Sequence, residues 1–295
     1  MRLLSLVTFA SLWVAAPLAA APSRATVEVT YLGTAGWQIR SGETVVLLDP
    51  YYSRLPDPKD DTRIAPDAAA IARHAPARAD LVLVSHSHWD HLLDAAAVAA
   101  RTGAELLGSA STASYGRASG LPDKQLISVR GGEDYAFAGF SLRVIPGLHS
   151  ALYDKHWLDD GIIAPGVKLP MTVAEYRVGG TFAYLLRIGG HELLFVSSAN
   201  FIERELAGLA PDVLFAAPGL REEIHDYTCR LLRAVGKPKL VFATHFDDFT
   251  VPYEAARAAH EETVAKQRPF VEEIRRCAPG TDARVPRHLE VVRLP

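Results

Sequence analysis

A dense cluster of metal-binding residue types lies in the segment 81–91, where three histidines and an aspartate follow four apolar residues. The apolar residues predict a short buried strand. His86 and His88 are two apart, so in an extended chain both side chains project to one side and can bind one ion. Asp90 and His91 precede an alanine-rich run that predicts a helix, and there they can face a second, neighbouring ion. Neutral imidazole and carboxylate groups are ligands that a divalent, zinc-like ion prefers.

A chance accumulation of polar loop residues is the alternative interpretation of this cluster. The close spacing and the buried strand in front of it favour a metal site. The chain has no G-x-S-x-G motif and no glycine-rich phosphate loop, so no serine nucleophile or nucleotide site competes with it.

The composition fits a single globular enzyme, and we expect its partner to be a small-molecule substrate. The chain has 295 residues, of which 49% are hydrophobic and 22% charged, enough for one sizeable core. The net charge is −3 and no basic run is present, so nucleic acid is excluded as an expected partner. The sequence does not predict an oligomeric state.

The N-terminal segment Met1–Ala21 has the order of a secretory signal: a basic Arg2, the apolar run Leu3–Ala16 and then small residues. We expect removal of this segment after Ala21, or as late as Ala25. A membrane anchor is the alternative, but the run is shorter than the roughly 20 residues that a spanning helix needs. The prediction is a periplasmic or secreted protein with no stable membrane insertion after cleavage.

The two cysteines, Cys229 and Cys277, fall in predicted helices of the C-terminal half. In an oxidising compartment they can pair. They can equally remain separate buried thiols that behave as small apolar groups, and both interpretations stay open.

The segment His86-Ser87-His88-Trp89-Asp90-His91 matches the HxHxDH signature of the metallo-β-lactamase-fold hydrolases. The chain resembles the branch related to sugar-phosphate lactonases, with recognisable segments between Val27 and Phe249. The resemblance implies an α/β fold, a four-layer αβ/βα sandwich of two mixed β-sheets flanked by helices. Residues 26–295 would form one such domain, with an insertion or flap over 151–177.

The periodicity of the chain predicts alternating strands and helices. A Gly-Gly pair predicts a hairpin between Thr181 and Ser197, because glycine adopts the positive φ angles of a tight turn. The final segment His288–Leu294 predicts an edge strand. The other elements discussed below are predicted strands over Val27–Leu32, Trp37–Arg40 and Thr44–Leu48, and predicted helices over Ala68–Ala75, Leu92–Ala100, Ser111–Ala118, Phe201–Leu209 and Ile224–Val235.

The resemblance also implies which residues bind metal. His149 follows a predicted strand, although a loop histidine without a role is the alternative there. His245 follows the predicted strand Leu240–Ala243 and matches the last ligand of the family. The implied ligand sets are His86, His88 and His149 for a first ion, and Asp90, His91 and His245 for a second.

Two positions near these ligands have less certain roles. In the family, the aspartate of the Asp49-Pro50 pair orients a ligand histidine, but Asp-Pro also commonly starts a turn. Ser198 stands where most relatives have an aspartate that bridges two ions, and a hydroxyl holds a hard cation less well than a carboxylate. We expect a single tightly held ion, with two ions bridged without this acid, or a carboxylate supplied from elsewhere, as alternatives.

Two other segments have predicted roles near the site. The irregular stretch 151–177 is typical of a lid or binding loop that faces substrate, with a solvated insertion as the alternative. Asp247 and Asp248 are interpreted as a solvated turn rather than as groups that support the metal ligands. His74, His191, His225, His260 and His288 are scattered, and no chemistry is assigned to them.

These observations predict a secreted or periplasmic metal-dependent hydrolase that uses metal-activated water on a carbonyl or phosphoryl substrate. Asp90 is the predicted catalytic residue, since it can orient that water when no second ion binds it. Zinc is the favoured cofactor, as one or two ions, with manganese or iron as alternatives. The alternative function is a catalytically degenerate metal-binding or ligand-binding protein. An iron-dependent redox enzyme is less favoured, because such members usually retain the bridging acid.

Overall fold

The structure is a computed structural model, and it describes residues 25–151, 155–157 and 159–295. The predicted signal segment 1–21 lies outside these residues. Among the described residues, no helix combines the length and the apolar character needed to cross a bilayer.

The strands and helices alternate along the chain, as the sequence periodicity predicts. Up to residue 146 they are β1 (Val27–Gly33), β2 (Gly36–Ser41), β3 (Thr44–Leu48), β4 (Arg63–Ile64), α1 (Ala68–His74), β5 (Leu81–Leu83), α2 (Trp89–Leu92), α3 (Ala95–Thr102), β6 (Glu105–Gly108), α4 (Ala110–Ala118), β7 (Leu126–Ser128), β8 (Asp134–Phe137) and β9 (Phe140–Pro146). Beyond it they are β10 (Met171–Thr172), β11 (Phe182–Ile188), β12 (His191–Val196), α5 (Glu203–Leu206), β13 (Val213–Ala216), α6 (Tyr227–Ala234), β14 (Leu240–Ala243), α7 (Ala256–Lys266), α8 (Arg268–Cys277), β15 (Asp282–Arg284) and β16 (Val291–Arg293).

Two seven-stranded mixed sheets form the centre of the molecule. The first has the order β16-β1-β2-β3-β5-β6-β7 and the second β15-β14-β13-β12-β11-β9-β8. Each sheet begins with antiparallel pairs, β1–β2–β3 in the first and β8–β9–β11–β12 in the second, and continues with parallel pairs. A parallel strand pair needs a crossover connection, which is why helices lie between β5 and β6 and between β13 and β14.

Three apolar clusters define four layers. In β5, Leu81 and Leu83 point into the cluster between the two sheets, whereas Val82 points outward to the helices, because neighbouring side chains in a strand alternate in direction. Between the sheets, Trp37 from the first meets Phe215 from the second, with ring centroids 4.5 Å apart. The predicted four-layer αβ/βα sandwich is therefore confirmed.

Helices cover the outer face of each sheet. Side chains of α1, α3 and α4 pack on the first sheet, and those of α5, α6 and α8 pack on the second. Cys229 of α6 and Cys277 of α8 form a disulfide. Of the two interpretations of the cysteines, pairing is therefore the one that the structure supports.

Several predicted elements have different bounds in the structure. The helix predicted over Phe201–Leu209 is limited to α5, and the helix predicted from Ile224 begins at Tyr227. The helix predicted from Leu92 is two helices, because Trp89 already starts a turn of helix within the histidine cluster and α3 begins anew at Ala95. The predicted hairpin is present as β11–β12, and the predicted edge strand is present as β16.

The structure describes the predicted flap, residues 151–177, except for residues 152–154 and 158. Its second half is anchored, since β10 pairs with β4 and the side chains of Ile163, Met171 and Tyr176 are buried against the first helix layer. Its first half reaches the site, where Asp159 lines a cavity. This segment therefore contributes Asp159 to the cavity wall, and its later residues anchor it to the core.

The predicted site residues all follow the ends of strands at one edge of the two sheets. Asp49 follows β3 and the histidine cluster follows β5 in the first sheet. His149 follows β9, Ser198 follows β12 and His245 follows β14 in the second. A backbone hydrogen bond from Phe182 N–H to the Ser85 carbonyl joins the sheets at this edge.

Candidate functional site

Three imidazoles form a tight triangle at the junction of the two sheets. The ring centroids of His86 and His88 are 4.8 Å apart, and each lies 4.7 Å from the ring of His149. All three side chains are buried, and their ligand nitrogens lie within 4.8 Å of one another. This spacing allows all three to bind the same ion.

The backbone fixes which nitrogen of His149 faces the triangle. Nδ1 of His149 lies 3.0 Å from the Ser150 carbonyl oxygen. A carbonyl oxygen only accepts hydrogen bonds, so Nδ1 donates and Nε2 keeps a free lone pair for a metal ion. Asn200 supports this turn, because its side-chain amide donates to the His149 carbonyl at 3.1 Å.

A second group of ligand atoms lies beside the first. Asp90 Oδ2 is 3.1 Å from His245 Nε2 and 3.4 Å from His91 Nε2. The two Nε2 atoms are 3.0 Å apart. The rings of His86 and His91 connect the two groups, with centroids 3.8 Å apart. The arrangement places two candidate ion positions next to each other.

Asp49 holds His91 in place. His91 Nδ1 donates to Asp49 Oδ2 at 2.9 Å, which leaves Nε2 directed towards Asp90 and His245. The same carboxylate accepts from the Ser85 backbone amide at 2.7 Å and from the Ser85 hydroxyl at 2.6 Å. Asp49 also turns the chain after β3, with φ at 42°, so its turn role and its contact with a ligand histidine occur together.

The electrostatics of the two groups differ. Burial and the neighbouring histidines lower the pKa of His86, and the same causes lower that of His149 to about 3, so both imidazoles are neutral at physiological pH. Burial acts to lower the pKa of His91, but Asp90 and Asp49 outweigh it and raise that pKa. Burial would raise the pKa of Asp90, yet His91 and His245 hold it well below its usual range.

The donor sets fit divalent metal ions. Three imidazoles, one of them with its second nitrogen bonded to a carbonyl, match the ligands of a zinc position. One carboxylate and two imidazoles match a second position, towards which His91 directs its Nε2. The structure thus brings together all six of the predicted ligands: His86, His88, Asp90, His91, His149 and His245.

Ser198 lies at the wall of the same site. Its hydroxyl oxygen accepts a hydrogen bond from the Ser150 backbone amide at 2.8 Å, and its side chain is almost completely buried. Ser198 therefore stabilises the turn that carries His149. It places a neutral oxygen at a wall of the metal cavity, where the sequence comparison with the family suggests a carboxylate.

A cavity of about 250 Å³ opens above the two ligand groups. Apolar and aromatic side chains form much of its wall. The lining residues are His86, His88, Trp89, Asp90, His149, Ser150, Asp159, Ser197, Ser198, Ala199, Ala217, Gly219, Leu220, His245 and Phe249. His74, His191, His225 and His288 are not among them, and the side chain of His260 is not described.

The interpretation of Asp247 as a solvated residue is wrong. Its carboxylate is buried and pairs with Arg54 Nη2 at 2.6 Å, with neither side chain exposed. It also accepts from the Thr34 backbone amide at 2.7 Å and from Tyr31 Oη at 3.1 Å. Asp248, in contrast, is exposed as predicted.

The role of Arg54 was not predicted either. The signal that the sequence offers is Gly33: a Cβ atom there would lie 1.7 Å from Arg54 Nη2, at a φ of 88° that already favours glycine. A glycine at this point leaves room for the guanidinium, but it does not identify the partner.

Comparison with known proteins gives a consistent result. A family model described as the Beta-lactamase superfamily domain matches residues 28–218. A curated metal-dependent hydrolase of Myxococcus xanthus is 34% identical over 135 residues, which cover 45% of this chain and 43% of that protein. A curated metal-dependent hydrolase of an Anaeromyxobacter species is 27% identical over 237 residues, 77% of each chain. This chain spans about half of the length of the curated relatives that it matches first.

A solved structure shares the fold. Igni18, described as a novel metallo hydrolase from Ignicoccus hospitalis, is 19% identical, with a TM-score of 0.56 over 92% of this chain and 99% of that chain. At this identity the likeness shows the fold alone. The family match covers more than half of the sequence and includes the histidine cluster, and on this basis the chain belongs to the beta-lactamase superfamily.

Proposed function

We propose that this protein is a metal-dependent hydrolase of small molecules that acts on a carbonyl or phosphoryl centre. The observation that carries the proposal is the convergence of six ligand-type side chains from three separate segments: five of them line one cavity, and the sixth, His91, lies 3.4 Å from Asp90. The curated relatives named as metal-dependent hydrolases support it. Zinc is the favoured ion, because the donor sets are rich in imidazole, and manganese or iron are alternatives.

The two ligand groups would hold the metal, His86, His88 and His149 at the first position, and Asp90, His91 and His245 at the second. When bound, a zinc ion supplies a Lewis acid that lowers the pKa of water from about 15.7 to about 7. The neutral state of His86 and His149 prepares the first position, because no proton has to leave these rings.

Asp90 is the proposed catalytic residue. It lines the cavity and its pKa is held well below the usual range, so its carboxylate is charged at neutral pH. When the second position holds no ion, this charged carboxylate accepts a hydrogen bond from water and orients it toward the substrate. In that state His245, which also lines the cavity and whose Nε2 lies 3.1 Å from Asp90 Oδ2, can donate a hydrogen bond to the oxygen that gains charge when the scissile bond breaks.

The test is the metal content and activity of purified protein, with His88→Ala as the variant. We expect one or two zinc ions per chain and ester hydrolysis that a chelator abolishes, with both lost in His88→Ala. His225→Ala is the matched control, since His225 is exposed and its side chain does not line the cavity. Full activity in His88→Ala, or in chelator-treated protein, would contradict the proposal.

A second candidate function is a catalytically degenerate protein that binds metal or a small ligand. Ser198 favours it, because the chain lacks a carboxylate at the place where its relatives bridge two ions. Metal-loaded protein that hydrolyses no ester, lactone or phosphodiester would support this candidate. The six intact ligand-type residues favour the enzyme.

We also propose export to the periplasm or the medium. The signal-like order of Met1–Ala21 supports this, and so does the disulfide between Cys229 and Cys277, since such bonds persist in oxidising compartments. Fractionation of cells that express the full chain tests it: the mature protein is expected outside the cytoplasm, without residues 1–21.

A further inference from the structure

The wall of the cavity outside the ligand groups is apolar and acidic. Trp89, Leu220 and Phe249 contribute large apolar side chains, and Asp159 contributes a carboxylate. None of the described residues that line the cavity is a lysine or an arginine. At about 250 Å³ the cavity also lies just below the size range of about 300–1,000 Å³ that is usual for ligand pockets, which favours a small substrate.

Nearby cations are already paired with carboxylates. Arg177 Nη1 lies 3.7 Å from Asp159 Oδ1, and Lys155 pairs with Glu223. Arg221 follows Leu220 in the chain, but its guanidinium is only 13% exposed and is held by Glu273 at 3.0 Å. Among the described residues that line the cavity, an anionic group would therefore find a counter-charge only at the metal positions.

The energetic consequence is a preference for uncharged ligands. A carboxylate or phosphate placed against Trp89 or Phe249 would lose its hydration without gaining an ion pair, which is costly. Asp159 would also repel it. An alkyl group at the same place gains from the removal of its apolar surface from water.

We infer that the part of the substrate remote from the scissile group is uncharged and apolar. This inference rests on the proposed hydrolase function and narrows it to small neutral esters, lactones or amides. A sugar phosphate fits the cavity poorly, because it carries an anionic group for which the described lining residues offer no lysine or arginine.

Two hydroxamic acids test the inference through binding, independently of catalysis. Butyrohydroxamic acid and succinomonohydroxamic acid carry the same metal-chelating group and differ at the far end, a methyl against a carboxylate. With zinc-loaded protein, isothermal titration calorimetry is expected to show at least about tenfold tighter binding of the butyro compound, about 1.4 kcal/mol. Equal or tighter binding of the succino compound would overturn the inference, and so would the binding of neither.

A matched pair of variants locates the effect at the cavity wall. Leu220 and Leu289 are both leucines with a positive φ, 62° and 60°, and with exposed fractions of 41% and 42%. Only Leu220 lines the cavity. Leu220→Lys is expected to reduce the tenfold preference to about twofold or less, because it supplies a cation. Leu289→Lys is expected to leave the preference unchanged, and the same change in both variants would contradict the role of this wall.

The hydrolase proposal and the inference about substrate charge can fail independently of each other. If the zinc-loaded protein prefers the butyro compound but hydrolyses no ester, lactone, amide or phosphodiester in a panel that includes 4-nitrophenyl butyrate, the preference of the cavity for an uncharged group stands and the hydrolase proposal is wrong. If it hydrolyses 4-nitrophenyl hemisuccinate faster than the butyrate ester, the hydrolase proposal stands and the inference about substrate charge is wrong.

Discussion

At the scale of single residues, Ser198 decides how much charge the site can neutralise. Two dications at adjacent positions repel each other, and among the candidate ligands only Asp90 carries a formal negative charge, because the others are imidazoles. The Ser198 hydroxyl does not offset the charge of the ions, because it is neutral. It accepts a hydrogen bond from the Ser150 amide. The site therefore neutralises little of the charge of two dications, and the expected ground state holds one tightly bound ion.

Restoring the acid at this position should strengthen the second position. In Ser198→Asp one carboxylate oxygen can keep the bond from the Ser150 amide while the other faces the cavity. We expect the zinc content to rise towards two per chain, measured by elemental analysis after dialysis. Ser198→Asn is the control, with the same size but no charge, and should keep the native content. An unchanged content in Ser198→Asp would show that residue 198 does not face the second position.

Asp94 is a buried carboxylate, and its ionisation lowers the free energy of unfolding in a pH-dependent way. Burial raises its pKa from 3.8 to about 6, against the hydrogen bonds that it accepts from Ser53 and from the Tyr52 amide. Because the folded-state pKa is above the unfolded value, protonation favours the folded protein. This contribution to the free energy of unfolding is complete below about pH 4 and is lost as the pH rises through about 6.

Asp94→Asn should remove this dependence. An asparagine can accept from the same two backbone amides with its oxygen and donate to the Ser53 hydroxyl with its nitrogen. Between pH 7 and pH 4, the stability of the native protein should rise relative to the variant by roughly 2 kcal/mol, measured by urea unfolding of chelator-treated samples. Parallel pH profiles for the two proteins would contradict the shifted pKa of Asp94.

The site residues that the sequence predicts and those that it does not predict differ in how far apart along the chain their contacting partners lie. His86, His88, Asp90 and His91 were identifiable because their spacing alone puts them at one strand end. His149 and His245 depended on the family resemblance, since local patterns do not show which strand ends meet. The partner of Asp247 is separated from it by 193 residues, and no local pattern marks a pair of that kind.

At the scale of elements, the pair of Arg54 and Asp247 fastens the loop after β3 to the turn after β14. Asp247 accepts from the Thr34 amide, and the Thr34 carbonyl accepts in turn from the His245 amide at 2.7 Å. His245 has a φ of 50°, which the surrounding contacts must maintain. The buried ion pair thus positions a candidate ligand through the backbone.

Asp247→Ala should disturb both stability and metal binding. It leaves the Arg54 guanidinium buried without its carboxylate, and the loss of one partner of a buried pair costs about 3–5 kcal/mol. Zinc titration should also show a weaker second position, because His245 loses its support. As a control, Asp123→Ala breaks the exposed pair with Arg117 and should change stability by no more than about 1 kcal/mol. Equal effects of the two substitutions would contradict the role of the buried pair.

Elements with strong periodicity were predictable, and short elements at the site were not. The hairpin β11–β12 and the opening strands followed from apolar runs and glycine turns. The helix boundaries near the metal ligands did not, because α2 is four residues long and begins at Trp89, inside the cluster that supplies the ligands. In this region contacts with His245 and Asp49, rather than helix propensity, determine the backbone.

At the scale of the whole molecule, the site exists only where the two sheets meet. The first sheet supplies His86, His88, Asp90 and His91 from the end of β5, and the second supplies His149 and His245 from the ends of β9 and β14. Neither half contains a complete ligand set. The relative position of the two sheets therefore determines the geometry of both ion positions, and the aromatic cluster of Trp37, Phe215 and Phe242 between them stabilises that position.

The disulfide between Cys229 and Cys277 is expected to stabilise the C-terminal half of the molecule. It joins residues 48 apart and links α6 to α8 on the outer face of the second sheet. A crosslink that closes a loop of this length stabilises by about 4 kcal/mol, through the reduced entropy of the unfolded chain. The double substitution Cys229→Ser and Cys277→Ser should lower the free energy of unfolding by that order, measured in urea. Reductant should do the same to the native protein and nothing to the double variant.

Thiol titration of the same protein tests where it folds. Exported protein should contain no reactive thiol after denaturation, because the periplasm is oxidising. A chain without residues 1–21, kept in the cytoplasm, should contain two. Two free thiols in protein recovered from the periplasm would contradict the link between the disulfide and export. An equal stability of oxidised and reduced protein would show that the packing of α6 and α8 on the second sheet needs no crosslink.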